Sequence, residues 1–214
     1  MAGQAQNAFE PRKSPVQARS TVTVQAIYEA TIQVLLSQGA ERLTTTRVAE
    51  RAGVSVGTLY QYFPNKQSLL FAVLEAHIEK VAETMQTTCA HARGKPLAEM
   101  VKQVVEAFVD VKMQRADISA ALYRIAADID GPALIQRAAL RMQKAFAAAL
   151  RTAPDAVLRQ EEFAIQMMFA AMAGVMRSVL EGGASKAMVE KLRHHLVLLC
   201  QSYLAATAQT RPRR

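Results

Sequence analysis

The sequence contains no tryptophan, only two cysteines and no run of alternating β-branched residues of the kind that forms strands. Its valines and isoleucines are scattered at helical spacing, and Ala, Leu, Met, Gln, Glu, Lys and Arg dominate. Cys89 and Cys200 are far apart in the chain, which is typical of buried thiols in a reducing compartment. The composition predicts an all-α protein, and 214 residues are enough for a substantial core.

Signals for export and membrane insertion are also missing. We find no apolar run of the roughly 18 residues that a membrane span needs. The N-terminal stretch MAGQAQNAFEPRKSP lacks the apolar region of a signal peptide. We therefore expect a cytoplasmic protein without a membrane partner.

Catalytic and metal-binding patterns are lacking as well. Cys89 and His91 are two residues apart, about 200° around a helix, so they cannot clamp one metal ion. His194 and His195 diverge by about 100°. There is no glycine-rich phosphate loop. We expect no cofactor and no metal, and we do not expect the protein to be an enzyme.

Positive charge is concentrated at the two ends of the chain. The net charge is +8, of which residues 1–66 contribute +3, from seven basic and four acidic side chains. The final Arg-Pro-Arg-Arg adds another +3, and the remaining 144 residues contribute only +2. A basic N-terminal part favours a polyanionic partner, although a solvated basic surface is common in proteins without one.

Glycine and proline divide the chain into about nine predicted helices. The pattern predicts a disordered arm over 1–18, a small helical domain over 19–66, a larger helical domain over 67–208 and a basic tail over 209–214. The stretch 97–128 has no glycine or proline, so it is either two helices or one. The predicted helices span about 19–37, 45–52, 56–62, 67–93, 97–115, 117–128, 133–152, 155–181 and 185–208.

The stretch TTTRVAERAGVSVGTLYQYF, from Thr44 to Phe63, places two short helical patterns around a turn at Gly53. Two short helices joined by a tight turn form a helix-turn-helix. Val48, Leu59 and Phe63 are among the apolar residues that can hold the pair against the first helix. The alternative is an ordinary helical hairpin with a solvated polar face.

Several polar residues of this stretch should face outward. Exposed Thr, Gln and Tyr on a short helix can reach base edges and phosphates in a major groove. The threonines at the start of the second helix offer hydroxyls and backbone N–H groups to a phosphate. Gly57 lets the backbone approach DNA closely, and Lys66 would lie near a flanking phosphate. The outward residues of the third helix are Val56, Gly57, Thr58, Tyr60, Gln61 and Tyr62.

The residues LTTTRVAERAGVSVGTLYQYFPNKQSLL, from Leu43 to Leu70, resemble the DNA-binding signature of TetR-family (TetR/AcrR-type) transcriptional regulators. The resemblance extends back to about Arg19, and beyond it the chain matches only in layout. It implies an N-terminal three-helix DNA-binding domain and a larger C-terminal ligand-binding and dimerisation domain. It also implies a homodimer that binds a palindromic DNA operator, usually as a repressor, and releases it when a small molecule binds.

Carried over by position, the resemblance implies roles for individual residues. Thr44 would cap the second helix, and Thr45 and Thr46 would approach the DNA backbone or groove edge. Tyr60 and Lys66 would touch phosphates. Thr46 stands where some relatives carry a longer basic side chain that reads guanine. The predicted DNA-binding residues are Thr44, Thr45, Thr46, Ser55, Val56, Gly57, Thr58, Tyr60, Gln61, Tyr62 and Lys66.

The last two predicted helices are apolar on more than one face. Such helices need two partners, so one face can pack inside the protomer and another across a two-fold axis. The alternative is complete burial within one protomer. A two-fold dimer would place two recognition helices on half-sites roughly 34–36 Å apart. We expect a homodimer through 155–181 and 185–208.

Aromatic and thioether side chains between residues 97 and 180 suit the lining of an apolar effector pocket. Plain core packing explains the same residues. Tyr123, Gln143 and Gln166 are the polar groups that could orient a ligand, and the predicted long helix 67–93 would connect the pocket to the DNA-binding domain. A regulator without an effector is the alternative. The predicted lining is Phe108, Met113, Tyr123, Met142, Phe146, Met168, Phe169 and Met172.

Overall fold

A computed structural model describes residues 18–183 and 185–210 of the chain. The predicted arm, apart from residue 18, and residues 211–214 of the predicted tail lie outside the described residues. Within them the all-α prediction is confirmed. The helices are α1 (Ala18–Arg42), α2 (Thr45–Ala52), α3 (Val56–Tyr62), α4 (Lys66–Ala92), α5 (Leu97–Met113), α6 (Ala116–Ile125), α7 (Gly131–Leu150), α8 (Glu161–Gly182) and α9 (Lys186–Thr207).

The described chain divides into two compact units, whose limits differ from the predicted domain boundaries. The first unit contains the described residues up to His77 together with Ala121–Leu134. The second contains Ile78–Ala120 and the described residues from Ile135 onward. The helix-turn-helix is thus grouped with part of α4 and with the segment around a 3-10 turn at Ala126–Ile129.

Local residues set the start of α4 and the end of α3 in the first unit. Asn65 precedes α4, where its Oδ1 accepts from the N–H of Ser68 at 2.8 Å and Ser68 Oγ accepts from the N–H of Asn65 at 3.3 Å. This reciprocal pair satisfies two N–H groups that a helix start otherwise leaves without a partner. Pro64 disfavours helical geometry at Phe63, which explains why α3 ends at Tyr62.

Close packing at Gly131 joins three segments of the first unit. A Cβ atom placed on Gly131 would lie 2.6 Å from the Ala126 carbonyl oxygen and 2.8 Å from Leu74 Cδ2. Real Cβ atoms do not approach other atoms so closely. Only a residue without a Cβ atom therefore fits at the start of α7 beside Leu74. Position 131 therefore carries glycine for reasons of space.

In the second unit α9 packs along α5 and α8. Arg193 Nη2 of α9 meets Asp110 Oδ1 of α5 at 2.6 Å, and Gln201 Nε2 donates to the Ala98 carbonyl at 2.8 Å. The hydrogen bond to Asp110 and the negative charge of that carboxylate raise the pKa of Arg193 above its ordinary value. Cys200 of α9 and Cys89 of α4 are buried free thiols, as the sequence predicts. Burial raises the pKa of Cys89 to about 12.

The predicted start of helix 155–181 is wrong. Asp155 does not begin a helix, because its Oδ1 accepts from the N–H of Leu97 at 2.9 Å and so caps α5 instead. The next residues form a short strand, β1 (Ala156–Leu158), antiparallel to β2 (Ala208–Thr210). Helix α8 begins only at Glu161, after Gln160 adopts a left-handed backbone with φ 47°. Residues 208–210 therefore form a strand where the sequence predicted a helix end and a tail.

Two other expectations are decided by the structure. The stretch 97–128 forms two helices, with a break at Gln114–Arg115 and a further 3-10 turn after α6. Helix α8 is long and apolar enough to cross a membrane by length and composition, contrary to the expectation that no stretch would be. A single such helix is weak evidence, since core helices pass the same test.

The close approach at Gly131 predicts that Gly131→Ala destabilises the protein. The added methyl must displace the Ala126 carbonyl or Leu74, and overpacking of this kind costs about 1–3 kcal/mol. The matched control is Gly57→Ala in the same unit, whose Cβ would meet only Ser55 Oγ at 3.7 Å. Urea unfolding should show a lower midpoint for Gly131→Ala and an equal or higher one for Gly57→Ala. Equal midpoints for Gly131→Ala and wild type would contradict the packing argument.

Candidate nucleic-acid interface

Helix α2 starts with three threonines, and the structure gives each a different position. Thr44 is the N-cap, with an extended backbone, and its Oγ1 accepts from the N–H of Arg47 at 3.3 Å. Thr45 is half-buried and Thr46 is exposed. The first N–H groups of a helix have no acceptor inside the helix and carry partial positive charge. The start of α2 can therefore bind a phosphate.

A left-handed residue sets the angle between α2 and α3. Gly53 has φ 69° and ψ 29°, a conformation that favours glycine, and its N–H bonds back to the last turn of α2. The N–H of Val54 donates to the Ala49 carbonyl at 3.0 Å, which closes the turn. The turn ends α2 and lets α3 begin two residues after Val54.

Helix α3 is anchored on one side and exposed on the other. Ser55 caps it, accepting from the N–H of Thr58 at 3.0 Å, and its Oγ lies 2.8 Å from Thr58 Oγ1. Leu59 and Phe63 are fully buried, and the Phe63 ring lies 5.9 Å from that of Tyr28 on α1. With these two residues inward, Gly57, Tyr60 and Gln61 are exposed, and Val56, Thr58 and Tyr62 are half-buried.

A hydrogen bond joins the start of α2 to the last turn of α3. The Tyr60 hydroxyl lies 3.0 Å from Thr45 Oγ1, and either can be the donor. Tyr60 keeps 42% of its surface exposed. The pair holds two hydroxyls together, which can act as one donor-acceptor group toward a phosphate.

Three basic side chains of this region bond to α1, and two of them were not singled out from the sequence. Lys66 Nζ donates to the Ala40 carbonyl at 2.6 Å, so its predicted phosphate contact would compete with this bond. Arg47 Nη1 donates to the Arg42 carbonyl at 2.6 Å, and Arg51 Nε donates to Gln33 Oε1 at 2.6 Å. The four-residue spacing of the two arginines on α2 is the sequence signal for their shared face.

The predicted effector-pocket residues are divided between the two units. Tyr123 belongs to the first unit and is half-buried, whereas the other seven belong to the second. Six of those seven are buried, and Met113 is half-buried. The Phe146 and Phe169 rings are 6.0 Å apart and tilted, as in ordinary core packing. An interior pocket lined by these residues stays a prediction.

An open groove of about 490 Å³ lies between α7 and the start of α8. It includes Gln143 and Gln166, the two glutamines predicted to orient a ligand, and none of the eight predicted lining residues. Its apolar floor was missed because alanines give no distinctive signal in sequence. The lining residues are Gln136, Ala139, Leu140, Gln143, Lys144, Ala147, Arg151, Glu162, Ile165 and Gln166.

Helices α8 and α9 each have a buried face and an exposed apolar face. On α8, Met168 and Met172 are buried, while Phe163 and Met167 are 58% and 46% exposed. On α9, Leu196, Cys200 and Leu204 are buried, and Met188, Leu198 and Leu199 are about half exposed. Burial within the protomer is therefore incomplete for both helices.

No group of three or more His, Cys, Asp or Glu side chains that could hold a metal ion occurs among the described residues. His194 and His195 have exposed rings with centroids 5.4 Å apart, nearly perpendicular to each other. The arrangement offers no set of converging titratable groups in this part of the chain.

Two family models match the sequence. The one described as bacterial regulatory proteins, tetR family, matches residues 27–73, which include the whole helix-turn-helix. The one described as tetracyclin repressor-like, C-terminal domain, matches residues 96–204. The second match alone covers about half of the chain.

Curated relatives match about a third of the chain. The HTH-type transcriptional repressor KstR of Mycolicibacterium smegmatis is 40% identical over 70 residues, which are 33% of this chain and 34% of that protein. The nucleoid occlusion factor SlmA of Haemophilus ducreyi is 44% identical over 62 residues, 28% of this chain and 29% of that protein. The chain thus matches about a third of the length of these curated relatives.

Solved structures extend the similarity to the whole fold. The crystal structure of a transcriptional regulator from Rhodococcus sp. RHA1 matches with a TM-score of 0.70 at 20% sequence identity. The match covers 88% of this chain and 99% of the other. At this identity the match establishes the fold alone.

Ser55 allows the stability of α3 to be separated from its predicted contact with DNA. Ser55→Ala removes the cap and should lower the free energy of unfolding by about 1 kcal/mol. Ser55→Asp keeps a capping oxygen and should retain that stability, but it places a carboxylate where a phosphate would approach. We expect Ser55→Asp to unfold like wild type and to lose most of its affinity for duplex DNA. Wild-type DNA affinity in Ser55→Asp would place Ser55 outside the interface.

Proposed function

The chain belongs to the TetR family of bacterial regulatory proteins, and from that premise we propose that it is a sequence-specific DNA-binding transcriptional repressor. The observation that carries the proposal is the exposed surface of α3, held outward by Leu59 and Phe63 and capped by Ser55. This surface lies inside the segment that matches the family model. The protein would act in the cytoplasm, on double-stranded DNA.

The proposed contacts divide into phosphate contacts and base contacts. Thr44, Thr45 and Thr46 lie at the start of α2, where a phosphate oxygen can approach free N–H groups and hydroxyls. Tyr60 presents its hydroxyl beside Thr45, so the two would bind the same phosphate. Gln61 is the exposed side chain on α3 that can make paired hydrogen bonds to a base edge.

The remaining residues of α3 would shape the contact with the groove. Gly57 has no side chain and is exposed, which lets the α3 backbone approach DNA. Val56 and Thr58 are half-buried and can offer methyl groups to a thymine methyl. Tyr62 packs near Phe63, with ring centroids 6.3 Å apart, and its exposed part would face the groove. Lys66 would reach a phosphate only by giving up its bond to Ala40.

Gln61→Ala tests this proposal. Loss of a good base contact costs about 1–3 kcal/mol, so affinity for the cognate site should fall roughly tenfold or more. Binding to unrelated DNA should change less, because phosphate contacts supply it. A cognate site from selection with the purified protein, titrated by fluorescence anisotropy at several salt concentrations, provides the measurement.

The matched control for Gln61→Ala is Gln86→Ala, which removes an exposed glutamine from α4. Its cognate affinity should equal that of wild type. If Gln61→Ala, alone and combined with Tyr62→Ala, bound the cognate site as tightly as wild type, the recognition surface would have been assigned wrongly.

We propose a homodimer formed by the exposed apolar faces of α8 and α9. The half-exposed Phe163 and Met167 on α8 and Met188 and Leu199 on α9 would be buried against a second copy. Along α8, exposed Ala170 and Gly174 continue the face at helical spacing and would allow close helix approach. A two-fold dimer would also present two α3 helices to a palindromic operator.

Phe163→Glu should disrupt this dimer, because it places a charge without a partner in an apolar contact. Light scattering at micromolar concentration should give twice the chain mass of 23.4 kDa for wild type and the chain mass for the variant. Val22→Glu is the control, since Val22 is an exposed apolar residue of α1, and it should remain dimeric. A monomeric wild type, or a dimeric Phe163→Glu, would contradict the proposed interface.

Release by a small-molecule effector is the further part of the proposal. It requires a ligand with higher affinity for the state that does not bind DNA, since equal affinity for both states shifts nothing. The alternative is a dimeric DNA-binding regulator without an effector. The matched relatives include SlmA, named as a nucleoid occlusion factor, and KstR, named as a transcriptional repressor, so these matches specify no effector. A compound that stabilises the protein and weakens its operator binding would favour release.

A further inference from the structure

The groove between α7 and α8 is long and built largely by one helix. Six lining residues lie on α7, from Gln136 to Ala147, at spacings of three and four, and Arg151 follows the end of the helix. From Gln136 to Ala147 α7 rises about 16 Å. Ile165, Glu162 and Gln166 form the wall contributed by α8. The shape suits an elongated ligand lying along α7.

The floor of the groove is apolar, and its width depends on small side chains. Ala139 and Ala147 are half-buried on α7, and Ile165 on α8 is buried. Leu140 lines the same groove with half of its surface exposed. A solvent-exposed leucine beside alanines leaves apolar surface that a hydrocarbon chain can cover.

The charges at one end of the groove are already compensated. Arg151 Nε lies 3.1 Å from Glu161 Oε1, which joins the end of α7 to the start of α8. Glu162 lies in the first turn of α8, where the helix dipole favours a carboxylate. Neither Arg151 nor Glu162 therefore calls for a charged ligand group.

Lys144 differs from these two residues. It is exposed on the groove wall and takes part in none of the ion pairs found within the described residues. Gln143 and Gln166 line the same groove and provide amide donors. An anionic group at Lys144 would receive a charge-assisted hydrogen bond together with amide hydrogen bonds.

We propose that this groove binds an elongated amphipathic monocarboxylate, with its carboxylate at Lys144 and its hydrocarbon chain along Leu140, Ala147 and Ile165. The inference rests on the proposed function in assigning the ligand a regulatory role. Glu162 and Gln166 line the groove, whereas Phe163 and Met167, one position further along α8, belong to the proposed dimer face. A ligand wedged between α7 and α8 would therefore act on the helix that carries this face.

Decanoate and its neutral amide, decanamide, test the site by calorimetric titration of the full chain without DNA. Wild type should bind decanoate saturably, about five- to tenfold more tightly than decanamide, because only the carboxylate pairs with Lys144. Lys144→Met should bind the two ligands with equal affinity. Lys102→Met, which removes an exposed lysine of α5, should keep the wild-type preference.

Leu140→Gln completes the design, because it should weaken both ligands by a similar factor while keeping the preference for the carboxylate. The inference is overturned if wild type shows no saturable decanoate binding. It is equally overturned if Lys144→Met retains the preference for decanoate. Because these titrations contain no DNA, their failure is distinct from a failure of operator binding, which the Gln61 variants measure.

Discussion

The left-handed backbone at Gly53, together with the buried side chains on either side of it, fixes the arrangement on which the proposed function depends. Gly53 ends α2 and turns the chain, and Val48, Leu59 and Phe63 hold both short helices against α1. Neither helix is long enough to be stable alone in water. Their orientation therefore comes from burial of a few apolar residues, and every outward position follows from which residues are inward.

Helix starts are stabilised by local caps in one part of the chain and by distant residues in another. Thr44 and Ser55 cap α2 and α3 from the adjacent position. Helix α5 follows Pro96, which makes no side-chain cap, and it takes its capping carboxylate from Asp155, 58 residues away. The same aspartate is then lost to α8, which begins later, and a strand fills the interval. This one hydrogen bond thus gives α5 its cap and explains why α8 does not begin at Asp155.

Helices α8 and α9 have more apolar surface than the protomer buries. Large exposed apolar patches on a soluble protein mark contacts with other molecules. In the proposed homodimer the exposed residues Phe163 and Met167 would contact a second copy, and exposed Ala170 and Gly174 continue their face at helical spacing. The groove beside them is different in chemistry, because it combines alanines and leucine with amides and a lysine. The two surfaces share α8, so a ligand in the proposed site would contact the same helix as the proposed dimer face.

The sequence by itself determined the features that depend on neighbouring residues. The helix-turn-helix, its cap at Thr44, its turn at Gly53 and the all-α class were all predicted, because capping, left-handed turns and helical periodicity act over a few positions. The resemblance of Leu43–Leu70 to a known signature is likewise a property of contiguous residues. The exposed and buried faces of α9 were also consistent with its periodicity.

Only the tertiary structure decided the features that join distant residues. The cap of Asp155 on α5, the pairing of β1 with β2, the bond from Lys66 to Ala40 and the lack of room for a side chain at Gly131 each link segments that no local pattern relates. The groove was missed for the same reason, since alanines on α7 acquire meaning only when α8 is placed beside them. Long-range contacts depend on how helices pack, and periodicity shows which face of a helix is apolar without showing what that face meets.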